Sequence, residues 1–135
     1  MQFDTRIAVV VRDDLLVWQK LNVTAFTVSG IASLPDVVGA PYVDGSDRVY
    51  LPMFRQPVMV FAASSEEMRD VYDRAVEREV PMAIYTEELF GTPHDDANRA
   101  AVRAVPSAEL RLVGLAMRGK KKAMEKVLKG LRLHP

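Results

Sequence analysis

The first thirty residues constrain the fold more than any other part of the chain. A short apolar run, residues 7–11, is followed by a charged turn, residues 12–14, and by a longer, mostly apolar stretch from Leu15 to Gly30. Short apolar runs bounded by charges are typical of buried strands, and longer ones with scattered polar residues are typical of buried helices. A buried strand that leads directly into a buried helix predicts an α/β sheet.

Length and composition narrow the class of protein. A chain of 135 residues predicts one domain, residues 1–135, and the absence of cysteine excludes disulfides, thiolate metal sites and cysteine nucleophiles. Charged Asp4 and Arg6 lie where the apolar core of a signal peptide would be. No apolar run approaches the ~20 residues that span a bilayer. We therefore expect a cytoplasmic protein that does not contact membranes.

Hydrophobic periodicity predicts alternating strands and helices. The strands are expected at 6–12, 58–61, 82–86 and 110–117. Helices are expected at 16–33, at 97–105 and at 120–133. A further helix is expected to begin at a capping box formed by Ser64 and Glu67. A loop-rich insert, about 34–56, separates the first helix from the second strand. This order predicts a three-layer α/β/α domain with a four-stranded sheet.

Several local strings resemble a known family. Residues 6–15, RIAVVVRDDL, resemble the opening strand and turn of type II peptidyl-tRNA hydrolases, and residues 112–115 and 127–133 resemble the last strand and helix of that family. A closer similarity is to uncharacterised bacterial proteins of the same fold class, which share the insert and a His-Asp-x-x-Asn-Arg-like string. The resemblance covers most of the chain outside the insert. It implies a peptidyl-tRNA hydrolase II-like fold, with a four-stranded mixed sheet and helices on both faces.

The same resemblance implies an altered hydrolase site. The catalytic lysine of the family corresponds to Lys20, its acidic residue to Glu87 and its threonine to Thr92. The glutamine and the histidine that the family carries on its first helix correspond to Phe26 and Ser29. The chain thus lacks the imidazole that would titrate near neutral pH on this helix, and peptidyl-tRNA hydrolysis is disfavoured.

A second group of candidate residues lies in the string TPHDDANR, residues 92–99. His94 is followed by two carboxylates, an amide and a guanidinium. Such a set of groups can supply a general base, a group that orients it and a clamp for an anion. The alternative is structural: Asp95 or Asp96 caps a helix, and Asn98 and Arg99 form the surface of its first turn. One histidine with adjacent carboxylates is not a reliable ligand set, so we expect no metal ion and no cofactor.

The predicted terminal helix begins with a basic cluster, Arg118 and Lys120–Lys122. Three lysines in a first turn oppose the helix dipole. The cluster is therefore either a solvated basic face or a contact for a phosphate group or RNA. No aromatic residue is interleaved with the lysines, which disfavours base stacking. The other histidine, His134, lies in what we expect to be a frayed C-terminus.

The first helix is apolar nearly all round, so it requires cover on two sides. The sheet supplies one side. The other side is covered in one of two ways. Either a second subunit covers it in a homodimer, or the insert folds back over the helix with Tyr42, Tyr50, Leu51 and Phe54. The apolar residues concerned are Leu15, Leu16, Val17, Trp18, Leu21, Val23, Phe26, Val28 and Ile31.

Three functions compete on this basis. The favoured function is binding of a small anionic or nucleotide-like ligand near the carboxyl ends of the strands. The candidate ligand-binding residues are Asp14, Ser29, Asp95, Asn98 and Arg99. The alternative is a divergent hydrolase that cleaves an ester or amide such as peptidyl-tRNA. Its candidate catalytic residues are Lys20, Glu87, Thr92 and His94. Weak RNA binding through Arg118, Lys120, Lys121 and Lys122 is the third.

The missing helix histidine predicts peptidyl-tRNA cleavage at most marginally above background, because loss of a general base typically costs about 10²–10⁴ in rate. A turnover assay would compare the purified chain with its Lys20→Ala and His94→Ala variants. Robust cleavage that is lost in Lys20→Ala would contradict the prediction. Cleavage lost only in His94→Ala would mean that the base comes from another loop.

Overall fold

The computed structural model describes residues 3–135, so the first two residues of the predicted domain lie outside the described part. This part folds as a mixed α/β structure with four α-helices and seven strands. The strands are β1 (Thr5–Arg12), β2 (Tyr42–Val43), β3 (Val49–Tyr50), β4 (Val58–Ala63), β5 (Met82–Thr86), β6 (Leu112–Lys120) and β7 (Arg132–Leu133). The helices are α1 (Val17–Ala32), α2 (Ser65–Glu77), α3 (Asp95–Arg103) and α4 (Lys121–Val127).

The main sheet has five strands in the order β5-β6-β1-β4-β7. β1 and β4 are parallel, whereas β6 is antiparallel to both of its neighbours and β7 is antiparallel to β4. Because side chains alternate along a strand, Ala8 and Val10 of β1 pack on the side of α2 and α4, and Val9 and Val11 pack on the side of α1. Helices therefore cover both faces of a mixed sheet.

The predicted four-stranded sheet is wrong by one strand, and the predicted helix over 120–133 is too long. The helix ends at Val127, and Gly130 has a φ of 87°, a left-handed conformation that reverses the chain. Arg132 and Leu133 then pair with Ala62 and Phe61 at the edge of the sheet. The apolar spacing over 124–131 resembled a longer helix because Leu128 and Leu131 continue to pack against the same core after the helix has ended.

The other long elements lie where they were predicted, although α3 begins and ends two residues earlier than expected and β4 is two residues longer. β1, α1 and β5 begin and end within one residue of the expected bounds. The capping box is confirmed: the Ser64 hydroxyl accepts a hydrogen bond from the Glu67 amide at 3.1 Å, and the Ser64 amide donates to the Glu67 carboxylate at 2.9 Å. β6 begins at Leu112 rather than at residue 110, because residues 107–109 form a 3₁₀ turn.

The insert forms a projecting hairpin, which we call the arm (residues 38–54). Its base is fixed by a bridge between Val38 and Phe54 and by a hydrogen bond of 2.9 Å from the Gly39 amide to the Met53 carbonyl. Above this base, strands β2 and β3 pair only with each other, and every residue from 40 to 51 is exposed.

The expectation that the insert folds back over α1 is wrong for most of the residues concerned. Tyr42, Tyr50 and Leu51 are exposed on the arm. Phe54 and Val37, which flank the base of the arm, do pack on the α1 side of the sheet. The core there is filled by the base of the arm, so the strands above it project into solvent.

Asp44 fixes the turn of the arm from within. Its carboxylate accepts hydrogen bonds from the amides of Ser46 and Arg48, at 2.8 and 3.1 Å, and from the Tyr50 hydroxyl at 2.9 Å. The hydrogen bonds from Arg48, Ser46 and Tyr50 lower the pKa of Asp44 below its ordinary value. The turn is therefore ordered by local contacts, although nothing packs against it within residues 3–135.

α1 lies unusually close to the sheet. A Cβ atom on Gly114 of β6 would overlap with the Cγ1 atom of Val23 on α1, and a Cβ atom on Gly30 of α1 would lie 2.9 Å from the Cβ atom of Ala83 on β5. Small residues thus occupy both points of closest approach. Val23 is fully buried in the space that Gly114 leaves open.

Gly114→Ala should lower the free energy of unfolding by about 1–3 kcal/mol, because the new methyl group would force α1 away from the sheet. The same substitution should cost less in a Val23→Ala background, since the overlapping atom is then absent. Gly45→Ala is the control: nothing lies near its Cβ position, and a change within ~0.5 kcal/mol is expected. Urea unfolding measures all four variants, and equal costs of Gly114→Ala in both backgrounds would contradict this explanation.

Candidate functional site

A continuous groove runs between α1, the edge strand β5 and α3. One part, of about 590 Å³, is lined by Phe26 and Thr27 of α1, by residues 83–85 of β5 and by Val102 of α3. A second part, of about 400 Å³, extends it towards Trp18. The two parts share five lining residues, and we refer to them together as the groove. The shared residues are Phe26, Tyr85, Leu89, Asp95 and Asn98.

Four aromatic rings form the apolar part of the groove. The ring centroid of Tyr85 lies 5.0 Å from that of Phe90 and 6.1 Å from that of Phe26, and Trp18 contacts Phe90 edge-on at 6.0 Å. Asn22 donates a hydrogen bond of 3.3 Å to the Tyr85 hydroxyl. Burial raises the pKa of this hydroxyl, and the bond from Asn22 only partly opposes the effect. Tyr85 is therefore neutral at physiological pH.

The polar side of the groove comes from the string TPHDDANR. The Thr92 hydroxyl donates a short hydrogen bond to the Asn98 side-chain carbonyl. Arg99 pairs with Asp95 at 2.5 Å and with Asp96 at 2.6 Å. Those two ion pairs hold its guanidinium on the surface of α3, where all three side chains are mostly exposed.

His94 caps α3, and the expectation that Asp95 or Asp96 would be the cap is wrong. The His94 Nδ1 atom accepts a hydrogen bond of 3.2 Å from the Ala97 amide. Asp95 and Asp96 are instead the first two residues of the helix, where their charge favours the dipole. Since Nδ1 of the neutral ring is the acceptor, the proton is on Nε2.

The structure divides the four candidate catalytic residues among three places. Thr92 and His94 line the groove. The Lys20 ammonium lies 3.3 Å from the His134 Nε2 atom. Glu87 lies in an ion-pair network described below. Within residues 3–135, no hydrogen bond joins Lys20, Glu87 and His94 to one another.

His134 is held in place, which corrects the expectation of a frayed C-terminus. Its amide donates a hydrogen bond of 2.8 Å to the Val60 carbonyl, next to the pairing of β7 with β4. This bond extends the edge of the sheet by one residue and brings the imidazole to Lys20 on α1. No sequence pattern indicated this contact, because the two residues are more than a hundred positions apart.

An ion-pair network occupies the carboxyl ends of β1 and β5. Arg12 contacts Glu87 at 2.7 Å and Asp14 at 2.6 Å, and Arg111 contacts Glu87 at 3.3 Å and Glu88 at 2.7 Å. Burial alone would lower the pKa of Arg12, but its hydrogen bonds to Glu87 and Asp14 raise it. The carboxylates neutralise both guanidiniums. This end of the sheet, where the sequence analysis placed a ligand, therefore offers no unpaired anion clamp from these two arginines.

The remaining candidates are scattered. The Ser29 hydroxyl donates a hydrogen bond of 2.5 Å to the Phe26 carbonyl of its own helix. Lys120, Lys121 and Lys122 are exposed, as expected for a solvated face. Arg118 is only partly exposed, and its Nε atom is buried without a hydrogen-bond partner among residues 3–135.

Sequence reasoning missed the aromatic part of the groove. Trp18 and Phe26 were interpreted as buried helix residues, yet they are 58% and 54% exposed. Tyr85 and Phe90 were not singled out. The available signal was the excess of apolar residues on α1, which predicted that the helix needs cover on a second side. In the described part of the chain, no three histidine, aspartate or glutamate side chains are grouped to hold a metal ion, and no helix is long and apolar enough to cross a membrane.

These features define a mixed α/β protein with an apolar groove at one edge of its sheet. The sequence profile of DUF2000, a family of proteins of unknown function, matches residues 5–135, and the chain belongs to this family. A solved structure of a protein of unknown function from Agrobacterium tumefaciens is similar to it, with 45% sequence identity and a TM-score of 0.95. That match covers 99% of this chain and 100% of the other. The comparison with curated proteins finds no match.

The comparisons confirm the similarity to an uncharacterised family. The DUF2000 profile covers almost the whole chain, including the insert. Neither the DUF2000 family nor the Agrobacterium protein is described as a peptidyl-tRNA hydrolase, so the more distant resemblance to that family is not confirmed. The groove itself is therefore the best indication of function.

His94→Ala should speed hydrogen exchange at the first amides of α3, because loss of an N-cap acceptor costs about 0.5–2 kcal/mol. His94→Asp should restore slow exchange, since aspartate is a preferred N-cap residue. Mass-spectrometric hydrogen exchange on peptides that cover 93–103 measures the effect. Faster exchange in Asp95→Ala or Asp96→Ala, with none in His94→Ala, would show that an aspartate is the cap after all.

Proposed function

We propose that the protein binds a small, nucleotide-like ligand in the groove between α1, β5 and α3. The observation that carries the proposal is the aromatic cluster of Trp18, Phe26, Tyr85 and Phe90 beside unpaired polar groups. A concave, largely apolar site with a few convergent polar groups is the usual form of a small-molecule site, and such sites typically measure about 300–1,000 Å³. The larger part of the groove, at about 590 Å³, lies within this range.

The aromatic cluster favours a ligand with a planar ring. Aromatic faces and edges pack well against a second ring system, and such pairs contribute about 0.5–1.5 kcal/mol beyond the burial of area. Phe26 is more than half exposed on the wall of the groove, so its ring can contact a ligand without rearrangement of the core. A ligand bound against the aromatic cluster would also bury part of the apolar surface of α1 that the sheet does not cover.

The polar groups favour a ligand that is rich in hydrogen-bond acceptors. The Asn98 carbonyl is engaged by Thr92, which leaves the Asn98 amide group as a donor. His94 has its proton on Nε2, because Nδ1 is engaged by Ala97. Asn22 is engaged through its amide group, which leaves its carbonyl as an acceptor. Two donors and one acceptor suit the edge of a heteroaromatic base.

One cation at the groove favours an acidic group on the ligand. Arg103 lines the larger part of the groove, and no ion pair engages it within residues 3–135. Arg99, by contrast, is already paired with two carboxylates. Of the two guanidiniums on this wall, only Arg103 is therefore available to an anionic group such as a phosphate.

Trp18 is the only tryptophan of the chain, so its fluorescence reports directly on the groove. Titration with adenosine, adenosine monophosphate and anilinonaphthalene sulfonate should change this emission saturably. Phe26→Ser should weaken all three probes. Asn98→Ala should weaken the two adenosine compounds about fivefold, since a lost hydrogen bond costs roughly 1 kcal/mol. Arg103→Ala should weaken only the two anionic probes.

Val76→Ser is the matched control, because Val76 is 52% exposed on α2 on the other face of the sheet. Its affinities should equal those of the wild type. If none of the probes changes the emission at millimolar concentration, or if Phe26→Ser and Val76→Ser bind equally well, the groove is not the ligand site.

The second candidate function is a divergent hydrolase that acts on an ester or amide. One observation favours it: the His134 imidazole lies beside Lys20, so an imidazole that α1 itself lacks is supplied by the segment after β7. We rank it second because Lys20 and Glu87 are not joined to the groove that contains Thr92 and His94. Adding His134→Ala to the cleavage assay tests it, and turnover lost in both Lys20→Ala and His134→Ala would favour the hydrolase.

RNA binding ranks below both candidates. Lys121 and Lys122 are exposed, but Arg118 is half-buried and belongs to the end of β6. The helix that follows has only seven residues. The basic residues therefore form a short solvated turn, without aromatic side chains for base stacking.

A further inference from the structure

Two apolar surfaces of this chain have no partner within residues 3–135. The first is the arm, where six large apolar side chains are each at least half exposed: Tyr42, Val43, Val49, Tyr50, Leu51 and Met53. A two-stranded hairpin is marginally stable at best in water on its own. The arm is therefore an ordered element whose apolar side chains are left in solvent.

The second surface is the exposed side of the start of α1. Leu16, Val17, Trp18 and Leu21 are between 58% and 74% exposed, although the remainder of α1 packs closely on the sheet. Such a cluster of large apolar side chains is unusual on the surface of a soluble monomer and typically marks an interaction site. We call this surface the α1 face.

We infer that a second copy of this chain covers the α1 face with its arm. The two surfaces are carried by the same chain, so a twofold axis that places one arm on the partner's α1 face repeats the contact in the opposite direction. Tyr42 and Tyr50 lie on one face of the arm and Val43 and Val49 on the other, so at most four of its six apolar side chains can contact one partner surface. With the four side chains of the α1 face, at about 100 Å² each, they give roughly 800 Å² per protomer, the area that a standard interface buries per partner. The chain also has a formal net charge of zero, so two copies do not repel each other through net charge.

The geometry separates the arm from the α1 face of its own chain. α1 has sixteen residues and is about 24 Å long. The arm follows the C-terminal end of this helix, whereas the α1 face lies at its N-terminal end. The base of the arm is fixed by hydrogen bonds from Gly39 to Met53 and from Arg55 to Val37. Every residue from 40 to 51 is exposed, so the arm does not pack on the α1 face of its own chain, and Asp44 keeps its turn ordered for contact with a partner.

Light scattering during size-exclusion chromatography at micromolar concentration should give about 30 kDa, twice the 15.1 kDa of the chain. Leu51→Lys on the arm and Leu21→Asp on the α1 face should each reduce this mass to that of the monomer. Leu51 is 85% exposed and Leu21 is 67% exposed, so neither change disturbs the core. Val76→Asp, at the exposed position on α2, is the matched control and should remain dimeric.

The two variants should form a dimer when they are mixed. In that dimer, one of the two contacts joins the altered arm of one chain to the altered α1 face of the other. This contact brings together the introduced lysine and the introduced aspartate, whose charges are opposite. The second contact joins the unaltered arm to the unaltered α1 face. Circular dichroism should show that each variant is folded before mixing.

A wild-type mass of one chain would overturn the inference, because the arm and the α1 face would then be uncovered in solution. A dimer that survives Leu51→Lys or Leu21→Asp would show that other surfaces pair. Two monomeric variants that fail to combine would exclude the arm-to-α1 contact. Trp18 belongs both to the groove and to the α1 face, so the ligand titrations are repeated with the monomeric Leu51→Lys variant, whose altered residue lies outside the groove. Probe binding by this monomer and the masses of the variants then fail independently.

Discussion

The contact between Gly114 of β6 and Val23 of α1 is the constraint on which the rest of the structure depends. The missing Cβ atom lets the helix approach the sheet until the valine fills the space above the glycine. Gly30 against Ala83 repeats the arrangement towards the C-terminal end of the helix. Two such points fix both the distance and the direction of α1. One flank of the helix is thereby placed over the edge strand β5, and this placement creates one wall of the groove.

The groove and the ion-pair network show how the chain separates two chemical environments. At the carboxyl ends of the strands, Arg12 and Arg111 are neutralised by Glu87 and its neighbours, and the network ties β1, β5 and the start of β6 together. At the edge of the sheet, apolar rings meet polar groups with unused hydrogen-bonding capacity. Charges that are paired stabilise the fold, whereas unpaired donors beside apolar surface are suited to recognition.

The sequence was sufficient for every element whose cause is local. Hydrophobic runs located β1 and β5, and the spacing of Ser64 and Glu67 located the start of α2. The sequence was insufficient where an element depends on a contact with residues far away along the chain. Nothing near His134 indicates Lys20, and nothing near residue 132 indicates pairing with β4. In the candidate site, Thr92, His94 and Asn98 could be chosen from their chemistry, but their aromatic neighbours on α1 and β5 could be recognised only from the packing.

The position of β6 between β1 and β5 has a consequence for the order in which the sheet is assembled. β1 is synthesised first, yet Thr5 pairs with Lys120, more than a hundred residues later. Until β6 has left the ribosome, β1 can pair only with β4, and its other edge stays open while most of the chain is being made. An open edge of apolar residues is prone to aggregation, so this topology exposes the nascent chain to a risk that ends when β6 pairs with β1.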